Sequence, residues 1–358
     1  MKSCYARAIA AMVSAGFLYS SSALAAPAIT GQPTFDGPPV LEWARDVSGT
    51  PDLTEPTSNL LADLHGHIGH CDLVLSTAGN YHMALKELWP LYLARFGQSL
   101  DTWLYTTSPP VVVDQLANNR VIVGNTELGC RPQVAVAPKR MMDRLKATGY
   151  LDGEPQLLFQ SRGNVILVKR GNPKRIRSVW DLGRQGVRVS TPNPEHERGS
   201  FEGYANSIYE IANYDVSHRG MTADQLFNAV FNSGRQDKWF SGRSIHHREV
   251  PWSVAYGQAD AGVMFYHLAA NAVQQFPTLF EMVPLGGSIA DPKPVAGNSV
   301  SDHYIARIKG DWNKKQLEAR NHLVETMLSE DFAAILTKHG MTATAPSQRN
   351  PVALDGPR

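Results

Sequence analysis

The sequence predicts an α/β fold with mainly parallel strands, divided into two domains. Three observations lead there. Short apolar runs alternate with amphipathic stretches from Asp72 onward, the pattern of strands followed by helices. Once an export segment is set aside, roughly 330 residues are left, which at ordinary domain sizes corresponds to two domains. Several of the apolar runs also end in loops of small polar residues, where ligands bind in open α/β sheets.

The export segment is residues 1–25. Lys2 and Arg7 form its positive start, Ala8 to Tyr19 its apolar stretch, and Ala23-Leu24-Ala25 supplies small residues for cleavage. An apolar run of this length is too short to span a bilayer, and no later stretch is long and uncharged enough. The mature chain is therefore expected free in a periplasm, not inserted in the membrane; no cysteine follows the triplet to accept a lipid. Loss of Lys2 and Arg7 takes the formal charge from +1 to −1, which leaves no basic excess for nucleic acid or a membrane surface. Cys4 departs as well, so Cys71 and Cys130 stand as an even pair in an oxidising compartment, where a disulfide between them is the expectation over a reactive or metal-binding thiol.

Residues 26–59 are punctuated by glycine and proline and read as an irregular leader. Asp72 to Leu75 then reads as a buried strand and Met83 to Phe96 as its helix. Trp103 to Tyr105 is followed by a helix near Val111 to Asn118, and Gln133 to Val136 by one from Pro138 to Thr148. Asn164 to Val168 and Val187 to Ser190 are further strands, with a short helix around Val179 to Leu182 between them. Ala261 to Tyr266 is a buried strand, and His322 to His339 a terminal amphipathic helix. Three loops carry candidate ligand groups: Ser76-Thr77-Ala78-Gly79-Asn80, Thr106-Thr107-Ser108-Pro109, and Thr191 to Ser200. Each precedes a helix whose free amides and positive dipole end suit an anion, although capping alone also selects such residues.

In order and kind, these pieces resemble the periplasmic molybdate-binding proteins of ABC importers, within the type 2 periplasmic binding-protein superfamily. The resemblance runs from about Asp72 to Ala343. It rests on Asn193-Pro194-Glu195-His196 with Gly199, on Gly257-Gln258-Ala259-Asp260-Ala261-Gly262-Val263, and on Lys338-His339-Gly340-Met341. It implies two α/β lobes joined by two crossover strands, with a discontinuous first lobe. That lobe would comprise residues 60–161 and 268–345, the second residues 162–267, and residues 346–358 a tail. It further implies a monomer that closes on a small anionic ligand, an oxyanion or small carboxylate, and presents it to an ABC permease or a membrane sensor, with no cofactor and no catalysis. Carried over by position, the ligand set is Ser76, Thr77, Asn80, Thr107, Ser108, Gly199, Ser200 and Tyr266. The tyrosine expected at the end of the last crossover strand falls on Phe265, one place before Tyr266. The chain departs from the family's pattern at Ile245 to Pro251, where His246, His247 and Arg248 stand at a helix start facing the cleft. Arg248 offers forked contacts to an anion and the histidines pH-dependent donors; Arg248 pairing with Glu249 or other neighbours at the surface is the bland alternative.

Asp63 to Cys71 packs His65, His67 and His70 beside an aspartate and a cysteine, donors that suit zinc or copper. The spacing matches no specific zinc pattern, so a transition metal or metal chelate is the second ligand reading. Glu195, His196, His246 and Glu249 are possible acids and bases, yet the sequence has no nucleophile elbow, phosphate loop or dinucleotide glycine pattern to work with them. A binding protein is expected rather than an enzyme.

Overall fold

A computed structural model of the chain describes residues 26–31, 64–66, 72–77, 79–96, 104–106, 116–117, 121–123, 126–128, 131–218, 220–242 and 246–344. Its strands in chain order are β1 (Leu64–Gly66), β2 (Val74–Thr77), β3 (Leu104–Thr106), β4 (Val121–Val123), β5 (Thr126–Leu128), β6 (Val134–Pro138) and β7 (Leu151–Gln160). They continue with β8 (Asn164–Lys169), β9 (Val189–Thr191), β10 (Trp239–Ser241), β11 (Ala261–Phe265), β12 (Phe280–Pro284), β13 (Asp302–Ile308) and β14 (Thr342–Ala343). The helices are α1 (His82–Phe96), α2 (Lys139–Ala147), α3 (Arg198–Tyr214), α4 (Ala223–Phe231), α5 (His246–Ala255), α6 (Tyr266–Gln275), α7 (Lys314–Met327) and α8 (Glu330–Lys338).

Two sheets organise these elements. The first has the order β1-β3-β2-β6-β13-β7-β14 and the second β10-β9-β11-β8-β12, while β4 and β5 form a separate antiparallel ribbon. In the first, β3, β2 and β6 run parallel and β13 lies antiparallel between β6 and β7. The second repeats the scheme: β10, β9 and β11 are parallel, and β8 lies antiparallel between β11 and β12. Helices cover these strands on both faces, which is why β2, β6 and β8 read as near-continuous runs of Val, Leu, Ile and Ala and are buried along most of their length.

The chain leaves the first sheet after Gln160 and enters the second at Asn164, where the sequence placed the first crossing. The return comes later than expected. Residues from 268 were assigned to the first lobe, but β12 pairs with β8 and fully buries Phe280, so the chain rejoins the first sheet only at Asp302. The two crossing segments lie side by side. Ser161 donates its backbone N–H to the Ser301 carbonyl at 2.9 Å, and the Ser161 hydroxyl accepts from the Ser301 N–H at 2.8 Å. Beyond them the Asn298 side chain accepts from the Asn164 N–H at 2.8 Å and donates to the Asn164 carbonyl at 3.0 Å. Gly163 has φ +75°, and a Cβ there would meet Pro294 at 2.7 Å, so the turn into the second sheet requires glycine.

Other local expectations are corrected. The strand read as ending at Tyr266 stops at Phe265, and Tyr266 opens α6. The single terminal helix from His322 is two helices, broken where Ser329 caps α8 by accepting the Phe332 N–H. The helix placed near residues 111–118 falls outside the described residues except at 116–117, which are helical. Of the leader, residues 26–31 lie against the far end of α4: Asn232 accepts the N–H groups of Thr30 and Gly31 and donates to the Ala28 carbonyl.

One buried cation holds the second sheet's approach. Lys238, 1 % exposed, donates to the carbonyls of Leu182, Arg184 and Val187 at 2.5–2.8 Å, so the turn before β9 closes around its ammonium. Burial, with Arg235 nearby, lowers its pKa to about 8. The substitution Lys238→Met keeps a similar volume and removes the ammonium from three carbonyls, of which only that of Arg184 is shown with a second donor, the Val187 N–H. It should cost about 3 kcal/mol or more, read as a lower urea midpoint with an unchanged slope.

Candidate functional site

The carboxyl ends of the parallel strands in the two sheets face one another, and the helices that follow them start there. From the first sheet, β2 ends at Thr77 and a single 3₁₀ turn, Gly79–Tyr81, leads into α1, whose first residue is His82. From the second, β9 leads to α3, β10 to α5 and β11 directly to α6. His246 and His247 begin α5, and His267 is the second residue of α6.

This arrangement gathers five imidazoles. The rings of His82 and His247 stack across the two lobes, centroids 5.0 Å apart and 24° from parallel. His247 meets His246 edge-on at 5.7 Å. His303, at the start of β13, lies flat on Phe159 at 4.5 Å, and its Nε2 is 2.9 Å from the Asn80 amide nitrogen. His267 stacks on Phe265 and is near enough to His303, His82 and His246 for each to disfavour its charge. All five are buried, with exposures of 4 % or less.

Their partners set their protonation. His82 Nδ1 faces the Gly79 carbonyl at 3.2 Å, which can only accept, so the proton sits on Nδ1. His246 donates through Nδ1 to Glu197 at 2.6 Å and its backbone N–H also reaches that carboxylate at 2.9 Å. Its Nε2 is 3.1 Å from the Tyr204 hydroxyl, which in turn accepts the Phe265 N–H at 3.3 Å. Burial raises the Tyr204 hydroxyl well above its ordinary value, so it stays protonated. For His267, burial first and the neighbouring imidazoles second lower the pKa to about 3. Burial does the same for His303, to about 4. Asn80 Oδ1, both ring nitrogens of His267 and Nδ1 of His303 are buried without a well-formed hydrogen bond. The site therefore offers buried polar groups, held on four helix or strand termini, two of them imidazoles kept neutral by burial, with one carboxylate and the 4 %-exposed Arg248 at its edge. Among the described residues, no three His, Cys, Asp or Glu side chains are arranged to hold a metal ion.

Residues 73–342, most of the chain, match the model of a family described as bacterial extracellular solute-binding protein. The chain belongs to this family. Among solved structures it is similar to the sulfate-binding protein SubI from Mycobacterium tuberculosis H37Rv, at 16% identity and a TM-score of 0.54 over 78% of this chain and 88% of that one. It is also similar to iron-bound HitA from Pseudomonas aeruginosa, at 15% identity and a TM-score of 0.50 over 79% and 89%. At such identities the likeness is one of fold, the two-lobed type 2 periplasmic binding-protein fold that the sequence predicts. A search of curated proteins by sequence finds no match. Among the described residues, no helix of this solute-binding protein is long and apolar enough to cross a membrane.

Of the residues singled out in the sequence, Asn80, His246 and His247 are brought together, and Arg248 follows them on α5. Ser76 and Thr77 are buried at the end of β2, where the Thr77 hydroxyl shares a 2.6 Å hydrogen bond with Tyr81. Gly199 is exposed and Ser200 half-buried in the first turn of α3. Tyr266 is turned elsewhere. Its hydroxyl donates to the Ile289 carbonyl at 2.8 Å and its ring lies under the Arg162 guanidinium, because it belongs to a helix start and not to the strand end where the register was sought. Thr107, Ser108, His67, His70, Cys71 and Cys130 lie outside the described residues, and of His65 only the backbone is described, as part of β1. Sequence reading missed His82, His267, His303, Glu197 and Tyr204. His82 stands two residues from Asn80 and was open to notice; nothing local marks His267 or His303.

Acid should expose the two neutral rings. In the folded chain His267 and His303 titrate below their ordinary value, so on unfolding near pH 5 both take up protons. Their contribution to stability is complete above about pH 6.5 and is lost as pH falls toward 4, by about 1.4 kcal/mol per pH unit for each ring. The variant His303→Gln should make urea-unfolding stability fall less steeply over this range, by close to one ring's share.

Proposed function

We propose that this chain captures a small anionic solute, a molybdate-like oxyanion or a small carboxylate, between its lobes in the periplasm, and as a monomer presents it to an ABC permease or membrane sensor. The observation that carries this reading is the buried cross-lobe set of His82, His247, Asn80, His267 and His303, polar groups contributed from both lobes, of which burial keeps His267 and His303 neutral. Neutral N–H donors can replace the water around an anion without a second buried charge to desolvate. Helix starts at α1, α3, α5 and α6 add their positive ends. The cleft set of this proposal is Asn80, His82, His246, His247, Arg248, His267 and His303, with Ser76, Thr77, Gly199, Ser200, Thr107 and Ser108 as further candidates. SubI and HitA are described as sulfate-binding and iron-bound, so proteins of this fold hold both an anion and a metal. Five imidazoles keep a metal or metal chelate as the second reading.

We further propose a disulfide between Cys71 and Cys130. β2 and β6 pair in parallel with Leu75 opposite Val134, and Val74 and Gln133 are hydrogen-bonded at a sequence separation of 59, the same separation as the two cysteines. The Gln133 amide also donates to the Asp72 carbonyl at 3.1 Å.

The deciding experiment is thermal unfolding of refolded, ligand-free protein with molybdate, tungstate, sulfate, small carboxylates, zinc or copper, followed by calorimetry on any ligand that raises the midpoint. A native-state ligand at a hundredfold excess over its Kd stabilises by about 2.7 kcal/mol. An oxyanion or carboxylate should do so, and His247→Ala or Arg248→Ala should weaken it at least tenfold while Arg140→Ala leaves it unchanged. Stabilisation by metal alone, with proton release on binding, transfers the site to the second reading. Separately, thiol alkylation of denatured, unreduced mature protein should label neither Cys71 nor Cys130; labelling of both refutes the disulfide.

A further inference from the structure

The first sheet has a second concavity at the end away from the histidines. His303 is the second residue of β13 and Ile308 its last, which at the rise of a strand sets the two regions roughly 17 Å apart. A cavity of about 500 Å³ opens there, lined by Arg131, Asp152, Lys309, Asp311, Trp312 and Arg320, among others.

Its chemistry is unusual for a surface hollow. The Arg131 guanidinium carbon lies 5.7 Å from the Tyr150 ring centroid and 5.8 Å from that of Trp312, so two aromatic rings hold the cation. Trp312 is itself fixed by its indole N–H, which donates to the Ile308 carbonyl at 3.0 Å. Among the described residues no carboxylate pairs with Arg131, although Asp152 and Asp311 line the same cavity; Asp152 pairs instead with Arg320 at 2.7 Å. Arg320 is 7 % exposed, and the Nε groups of both Arg131 and Arg320 are buried without a hydrogen-bond partner. Burial first and Arg320 second lower the pKa of the Arg307 guanidinium, while Asp152 opposes the shift. Three cations against two carboxylates in the lining leave one positive charge over, which matches a monoanion better than a dianion. The volume exceeds that of an inorganic ion, and the exposed aromatic wall calls for a flat apolar body.

We propose that this cavity is a second ligand site, separate from the interlobe cleft, which takes a small monocarboxylate on a planar apolar body. The carboxylate meets the planar fork of Arg131 and the body lies against Trp312.

The test is an NMR titration of the full mature protein with benzoate, read on the indole N–H of Trp312, assigned through Trp312→Phe. Benzoate should move that resonance saturably, benzamide and inorganic phosphate should not, and Arg131→Gln should weaken the effect at least tenfold while Arg140→Gln does not. The proposal is overturned if benzoate produces no saturable shift, if the uncharged benzamide shifts Trp312 as strongly, or if folded Arg131→Gln protein binds benzoate as well as the parent. Should Arg131→Gln fail to fold, the benzoate and benzamide comparison on the parent decides alone. Because the readout sits on Trp312, failure here leaves the interlobe reading standing, and failure of that reading leaves this one.

Discussion

Two asparagines hold the architecture together. Asn164 and Asn298 come from the two segments that pass between the sheets, and the reciprocal hydrogen bonds of the Asn298 side chain with the Asn164 backbone tie those segments into one ribbon. Asn298 also donates to the Leu285 carbonyl, and the Asn164 side chain donates to Ser207 on α3, so the ribbon is anchored in the second lobe. The Ser161 and Ser301 pair then continues it into the first. Left-handed glycines, Gly163 and Gly297, stand beside the clasp, where the backbone dihedrals can change most cheaply. The clasp thereby fixes how the strand ends of the two sheets are placed relative to one another.

What meets is a set of side chains whose electrostatics follow from depth. His267 and His303 are fully buried, and the loss of hydration outweighs even the neighbouring Asp302 carboxylate at His303, so burial sets their neutral state. His246 differs because Glu197 and Tyr204 occupy its two nitrogens and fix its tautomer. The chain thus uses one histidine as a structural bridge between α3 and α5. Arg248, next on the same helix, adds the formal charge. A pocket of buried polar groups beside one guanidinium can hold an anion, with His267 and His303 neutral at ordinary pH.

The fold was largely legible in the sequence because strands buried on both faces announce themselves: Asn164 to Val168 and Ala261 to Val263 read as short, near-continuous apolar runs. β12 was not legible. In Phe280–Pro284 the consecutive Glu281 and Met282 point to opposite faces and both are half-buried, so its apolar content is that of an edge strand and resembles a loop. Missing it moved the second crossing too early. For the site, the loop after β2 and the His246-His247-Arg248 start of α5 were legible, since small polar residues and clustered histidines stand out locally. His303 was not, because its importance comes from β13 inserting between β6 and β7, a pairing across more than a hundred residues. Tyr266 shows the cost of register: one residue beyond the strand end its side chain follows helical geometry and turns to Ile289.

The direct stack of His82 on His247 constrains how any ligand can stabilise closure. The lobes already touch there, and a ligand shifts the opening equilibrium only by the difference between its contacts in the two states. With both rings neutral, the stack is a weak contact and favours closure little. With both protonated at 5.0 Å, they repel by about 3 kcal/mol at an effective protein dielectric, and closure is opposed. An anion placed against the pair reverses that sign and favours proton uptake, whereas a metal needs the ring lone pairs and favours proton release. The same two rings thus give the two classes of ligand opposite proton linkage. Chemical identity at this site is written in the direction of proton flow as much as in shape.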